Sequence, residues 1–177
     1  GNVTVSGSTF TGSGTSTGVS VGTGAAASTN NTDIRSSTFT SLRQALVIGN
    51  ENVYAAGNTI SGGGESTASD TRGVITQSNG ASTLVNNTIT NSNAAYYAIH
   101  VSGGSLIARF NTITGNTLNV RETGGTANAT HNWWGASTGP AAASINATTP
   151  NNVHMPHLTG AVTAGSGAIA FATANLT

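Results

Sequence analysis

One short pattern recurs along this chain at unequal intervals. It reads SGSTFTGSG from Ser6, RSSTFTSLR from Arg35, AGNTISGGG from Ala56, NNTITNSN from Asn86 and FNTITGNT from Phe110. The central apolar residues are Phe10, Phe39, Ile60, Ile89 and Ile113, spaced by 29, 21, 29 and 24 positions. A further 21 positions separate Asn111 from Asn132. A globular sandwich has no reason to repeat one motif in this way. A solenoid does, because each coil returns to the same place and buries the same side chain on its neighbour.

Each unit carries more than one strand. An apolar stretch precedes the motif (Val3–Val5, Ile34, Val53–Tyr54, Leu84–Val85, Leu106–Ile107), and another follows it (Val19–Val21, Leu46–Ile48, Val74–Ile75, Ile99–Val101, Leu118–Val120). Gly, Ser and Asn separate them. Three short strands per turn without helical periodicity predict an all-β fold, a right-handed parallel β-helix of about six to seven coils. The coils cover residues 1–160. Residues 161–177 form a C-terminal strand extension, where Ile169 and Phe171 alternate with small residues. At about 4.8 Å per coil the rod is roughly 30 Å long.

The inward core column is Phe10, Phe39, Ile60, Ile89, Ile113 and Trp133. The Asn ladder is Asn58, Asn87, Asn111 and Asn132, with Ser8 and Ser37 in the first two coils. Asn suits a tight left-handed corner, and stacked amides hydrogen-bond from coil to coil. Outward threonines flank the core column: Thr9, Thr11, Thr38, Thr40, Thr59, Thr88, Thr90, Thr112 and Thr114, with Ser61 completing a second column.

Composition narrows the chemistry. The chain has ten charged residues, a formal net charge of zero, no lysine and no cysteine. A neutral surface offers no electrostatic footprint for nucleic acid or anionic membrane. A disulfide framework and thiolate metal sites are excluded. No apolar run approaches a membrane span, and Gly1 is read as the start of a mature or excised fragment. Glu51, Asp70, Arg72, His100, Arg121 and Glu122 fall 8 to 12 positions after the inward residues, so one flank of the rod is a candidate acid/base site. Asp33/Arg35 and Asp70/Arg72 read more simply as ion pairs on a strand face. His154 and His157 lack an apparent third ligand, so no metal or cofactor is expected. The six N-x-S/T sequons match the number chance produces from this composition.

The stretch HNWWGASTGP (His131–Pro140) holds both tryptophans. It resembles the N-W-W-G…G-P signature of secreted right-handed parallel β-helix repeat proteins with a pectin-lyase-like fold. The repeated N-T-I-T resembles their coil consensus. VHMPHLTG (Val153–Gly160) is similar to their closing segment, with His157 where they usually carry tryptophan. The resemblance implies that NWWG marks the last coils and that the protein is exported, at the cell surface or outside it. On a strand Trp133 and Trp134 point to opposite sides. Trp133 is expected to close the core. Trp134 is then either covered by Val153–Gly160 or left for a partner.

The sequence predicts a non-enzymatic structural or adhesive module. Two features suggest self-association into a filament or tandem array: no capping helix precedes Val3, and an extra strand lies at the C-terminal end. The expected partner is another copy of the chain, with surface polysaccharide as a second candidate. Two alternatives stand beside this. One is carbohydrate binding or degradation; against cleavage, there is no dense Asp cluster and no Lys. The other is ice binding through the Thr ladder, which resembles the T-x-T arrays of β-solenoid ice-binding proteins.

Overall fold

A computed structural model of the chain describes residues 2–22, 30–62, 73–91, 94–147, 153–165 and 168–171, and of residues 91, 162–165 and 168–171 the backbone alone. The chain is a right-handed parallel β-helix. The first coil holds β1 (Val3–Ser6), β2 (Thr9–Thr11) and β3 (Thr17–Val21); the second β4 (Asn31–Arg35), β5 (Thr38–Leu42) and β6 (Gln44–Ile48). The third holds β7 (Asn52–Ala56), β8 (Thr59–Gly62) and β9 (Gly73–Gln77). The fourth holds β10 (Ala81–Val85), β11 (Thr88–Asn91) and β12 (Tyr97–Val101). The fifth holds β13 (Ser105–Arg109), β14 (Thr112–Ile113) and β15 (Leu118–Glu122), and the sixth β16 (Thr126–Asn128) and β17 (Ile145–Asn146).

Three parallel sheets result. Sheet A runs β1-β4-β7-β10-β13-β16, sheet B runs β2-β5-β8-β11-β14, and sheet C runs β3-β6-β9-β12-β15-β17. Because the strands stack in register, each inward position becomes a column. Ile34, Ala55, Leu84 and Ala108 form one in sheet A. Phe10, Phe39, Ile60, Ile89 and Ile113 form one in sheet B. Val19, Leu46, Ile75, Ile99, Val120 and Ile145 form one in sheet C. The Phe10 and Phe39 rings stack 4.8 Å apart and 7° from parallel, at the coil spacing itself. Phe10 stays half-buried while Phe39 is fully buried, since no described residue covers the outer side of the first coil.

The ladder lies at the corner between sheets A and B. Asn87 Oδ1 accepts from the Asn58 backbone N–H and from Asn58 Nδ2, both at 2.9 Å. Asn111 Oδ1 does the same for Asn87 at 2.8 and 2.9 Å, and Asn132 Oδ1 for Asn111 at 2.8 and 3.0 Å. The second amide proton of each goes to a carbonyl: Ile34, Ala55, Leu84 and Ala108 accept from Asn58, Asn87, Asn111 and Asn132. Lower down, Asn58 Oδ1 accepts from Ser37 N–H at 2.9 Å, and Ser37 Oγ accepts from Ser8 N–H at 3.2 Å. All four Asn side chains are buried, and each amide proton and oxygen finds a partner.

The left-handed corner falls one residue earlier than expected. Gly7, Ser36, Gly57, Asn86, Phe110 and His131 carry positive φ, from 48° to 64°, each immediately before its ladder residue. The ladder Asn is therefore not the left-handed residue. Its amide points into the stack because the residue before it makes the turn. Elsewhere the coils approach still closer: a Cβ on Gly104 (φ 71°) would lie 2.2 Å from the Gly80 carbonyl oxygen. Only glycine fits at that corner.

Register also corrects the tryptophans. Asn132 stacks on Asn111, and Trp133 bridges to Thr112. Trp134 thus follows Ile113 in the core column. Trp134 is 6% exposed and packs in the common core, whereas Trp133 is half-buried on the other face. The physical reason is the count from the ladder: the core side chain is always two residues after the ladder residue. The closing segment lies over this last coil. Ala129 N–H donates to the Val153 carbonyl and His131 N–H to that of Pro156, both at 2.6 Å; Leu158 N–H donates to Asn132 O at 3.0 Å. His157 is buried against Gly139, where a Cβ would meet the imidazole at 2.7 Å. Past this segment the backbone forms an antiparallel hairpin, β18 (Val162–Gly165) with β19 (Ala168–Phe171), in place of the single strand expected.

Replacing Asn87 tests the ladder. Asn87→Ala strands the Asn58 N–H and the Ala55 carbonyl in a dry corner, so a loss of about 3–5 kcal/mol is expected in urea unfolding. Asn87→Ser keeps an acceptor for Asn58, as Ser37 does for Ser8, and should cost clearly less. Equal losses for the two variants would contradict the ladder's role.

Candidate functional site

Four regions carry the residues that chemistry or recognition would use. The first is the outer face of sheet B. Thr9, Thr38, Thr59, Thr88 and Thr112 stand in one register column, and Thr11, Thr40, Ser61 and Thr90 in the next. Thr114 follows the short strand β14, its N–H donating to Ile89 O at 3.2 Å. These side chains are exposed or half-exposed. Strand pleating sends them out because the core column between them points in.

The second region is the outer face of sheet C, where His100 and Arg121 are register neighbours. His100 is buried; its Nε2 lies 3.0 Å from Thr123 Oγ1, and its Nδ1 has no hydrogen-bond partner. Burial, and then the nearby Arg121 charge, hold the His100 pKa below its ordinary value. Arg121 also lies over the Tyr97 ring at 5.7 Å. The expected common flank of acids is only partly assembled. Glu51, between β6 and β7, accepts from Thr32 Oγ1 at 3.4 Å, and Glu122, at the end of β15, accepts from the Ala127 N–H; both stand at the corner between sheets C and A, three turns of the coil apart. Asp70 and Arg72 lie outside the described residues. The described members of the expected flank thus share sheet C and its corner with sheet A, but the two carboxylates stand in separate coils, each held by its own partner.

The third region is the outer face of sheet A. The Asp33–Arg35 ion pair forms at 2.7 Å, and Asp33 holds the Arg35 pKa above its ordinary value, first by hydrogen bond and then by charge. The Arg35 guanidinium sits 4.8 Å from the centre of the Tyr54 ring. Nothing in the sequence reading singled out Tyr54, although a signal was present. Counting back four from each ladder residue gives the outward column Thr4, Asp33, Tyr54, Thr83, Ile107 and Asn128.

The last region is the two ends. β1, β2 and β3 are the terminal strands of their sheets, and Val3 is 53% exposed. At the other end Trp134 is covered, and its Nε1 has no hydrogen-bond partner. The Ile169 and Phe171 backbones pair with Ala164 and Val162 within the hairpin. The His154 and His157 rings are 6.5 Å apart, and among the described residues no three His, Cys, Asp or Glu side chains group as metal ligands. No described helix is long and apolar enough to cross a membrane.

Comparison with known proteins returns no match: no family model, no curated protein and no solved structure is similar to the chain.

His100 supplies a pH test. Its folded pKa lies below the unfolded value of about 6.5, so the unfolded chain binds more protons as pH falls through that value. Stability should drop on acidification from about pH 7 towards pH 5, with the drop ending below the folded pKa. His100→Gln should flatten this part of the urea-midpoint profile relative to the parent chain. An unchanged profile would rule His100 out as its source.

Proposed function

We propose that this chain is a non-enzymatic, extracellular structural and adhesive β-helix module that associates with copies of itself through its first coil. The observation that carries this reading is the asymmetry of the two ends. The last coil is overlaid by Val153–Leu158. Among the described residues β1, β2 and β3 are the terminal strands of their sheets, and Val5, Phe10 and Val19 are only partly buried. A terminal strand edge beside a partly buried apolar core accepts a further strand readily, one from a second copy included. Ser8 supports the same reading. It stands at the ladder corner of the outermost coil, at the position where Ser37 accepts the N–H of the coil below. The resemblance of HNWWGASTGP to secreted, pectin-lyase-like β-helix repeat proteins supports export and a cell-surface setting.

Light scattering and electron microscopy of the purified chain test the proposal. Concentration-dependent dimers or filaments are expected. Val3→Lys places a charge on an exposed edge residue and should return the protein to monomers with little change in stability. A parent chain that stays monomeric at high concentration would overturn the assembly reading.

A second reading rests on the Thr columns. Their hydroxyls repeat at about 4.8 Å along the rod and about 6.7 Å along each strand, on a surface without charge. A regular, uncharged array of hydroxyls suits an ordered layer of water, and with it the surface of ice. Thermal hysteresis, lost on Thr59→Tyr, would favour this reading; its absence at high protein concentration would end it.

A further inference from the structure

The outer face of sheet A contains a groove of about 320 Å³ that spans the second to fifth coils. Tyr54 and Ile107 flank it, and they are among the few large apolar side chains left exposed, at 38% and 41%. Between them in register stands Thr83. A small residue between two large ones on consecutive rungs leaves a slot two coil spacings across, about 9.6 Å from backbone to backbone. Asn31, Asn52 and Ser105 line one margin with amides and a hydroxyl, and Asn52 Nδ2 donates to Asn31 Oδ1 at 3.3 Å. Val53 and Ser82, register neighbours in an inward-facing column, form the floor of the groove.

Chemistry selects the occupant. The lining carries no charged side chain, so neither an anion nor a cation has a counter-charge there. Of the charges around it, Asp33 and Arg35 neutralise each other, Glu51 beside Asn52 accepts from Thr32 Oγ1, and Arg109 stands two residues beyond Ile107 on β13. Arg35 stacks on the Tyr54 ring but does not line the groove, so a second surface of the ring faces the slot. An aromatic face with a polar tip, beside neutral amides and hydroxyls, suits a ring that is apolar on its C–H face and hydroxylated at its rim. We propose that this groove binds one sugar unit of a neutral saccharide, stacked on Tyr54 and hydrogen-bonded by the Asn31, Asn52 and Ser105 margin. The site lies along the side of the rod, away from the first-coil edges, so it stands whether or not the rods associate.

Titration calorimetry with cellohexaose, xylohexaose and mannohexaose at millimolar concentration tests this. At least one should bind, and Tyr54→Phe should retain binding. Tyr54→Ala should weaken it about tenfold or more through the lost stacking surface. Thr83→Phe, which fills the slot, should abolish it. Amide shifts of Thr83 and Ser105 in the parent protein, read by NMR with the same sugars, locate the site without any variant. No heat and no shifts with any of the three, or binding that is unchanged in Tyr54→Ala, would overturn the proposal. Light scattering of the same samples separates this result from the assembly reading, since a monomer that binds sugar keeps the groove and loses the filament.

Discussion

The rest of the structure depends on a buried row of side-chain amides. A parallel β-helix has a narrow core, and this chain fills it with few large residues. Apolar burial alone specifies coil register weakly, because Ile stacked on Ile tolerates slippage. The amide row does not. Each Asn must accept from the coil below and donate to a carbonyl, and a slip of one residue would leave several buried polar groups without partners. Register set at this corner then passes to all three sheets. The core columns, the Thr columns and the sheet A groove are consequences of that one alignment.

A rigid register has functional value because it turns short sequence choices into surfaces. The position one after the ladder residue and the position three after it produce the Thr/Ser face. The position four before it produces the row that holds Tyr54, Thr83 and Ile107. With ten charged residues in 177, any contact on this surface would rest on shape, hydroxyls and amides rather than on long-range attraction. Of the two buried imidazoles, His100 sits beside Arg121 with Nε2 on Thr123 Oγ1, and His157 lies against Gly139 with Nε2 3.2 Å from the Ser137 carbonyl.

Much of this was legible before the structure, and the reasons are physical. In a solenoid, local spacing becomes spatial stacking, so the N-T-I-T repeat disclosed the coil number, the core column and the Thr columns together. Errors arose where counting was replaced by residue character. Trp133 was placed in register with Ile113, yet the rule from Asn58, Asn87 and Asn111 puts the core residue two after the ladder residue, at Trp134. The left-handed residue was taken to be Asn because Asn tolerates that conformation; Phe110 and His131 adopt it instead, one position earlier, against their own preference. The charged flank lies where the offset placed it, along sheet C and its corner with sheet A, but Glu51 and Glu122 stand in coils too far apart along the rod to act as a pair. The sheet A groove was invisible for another reason: it needs three rungs at once, and no single segment contains it.

The most direct test of the ladder is amide hydrogen exchange in the intact protein. The N–H groups of Ser37, Asn58, Asn87 and Asn111 donate to side-chain oxygens of the next coil. If that row holds the register, these four amides exchange only through global unfolding, and their protection free energies agree with one another and with the stability measured in urea. Contradiction would come from ladder amides that exchange by local opening, several kcal/mol more easily than those of the sheet C strands.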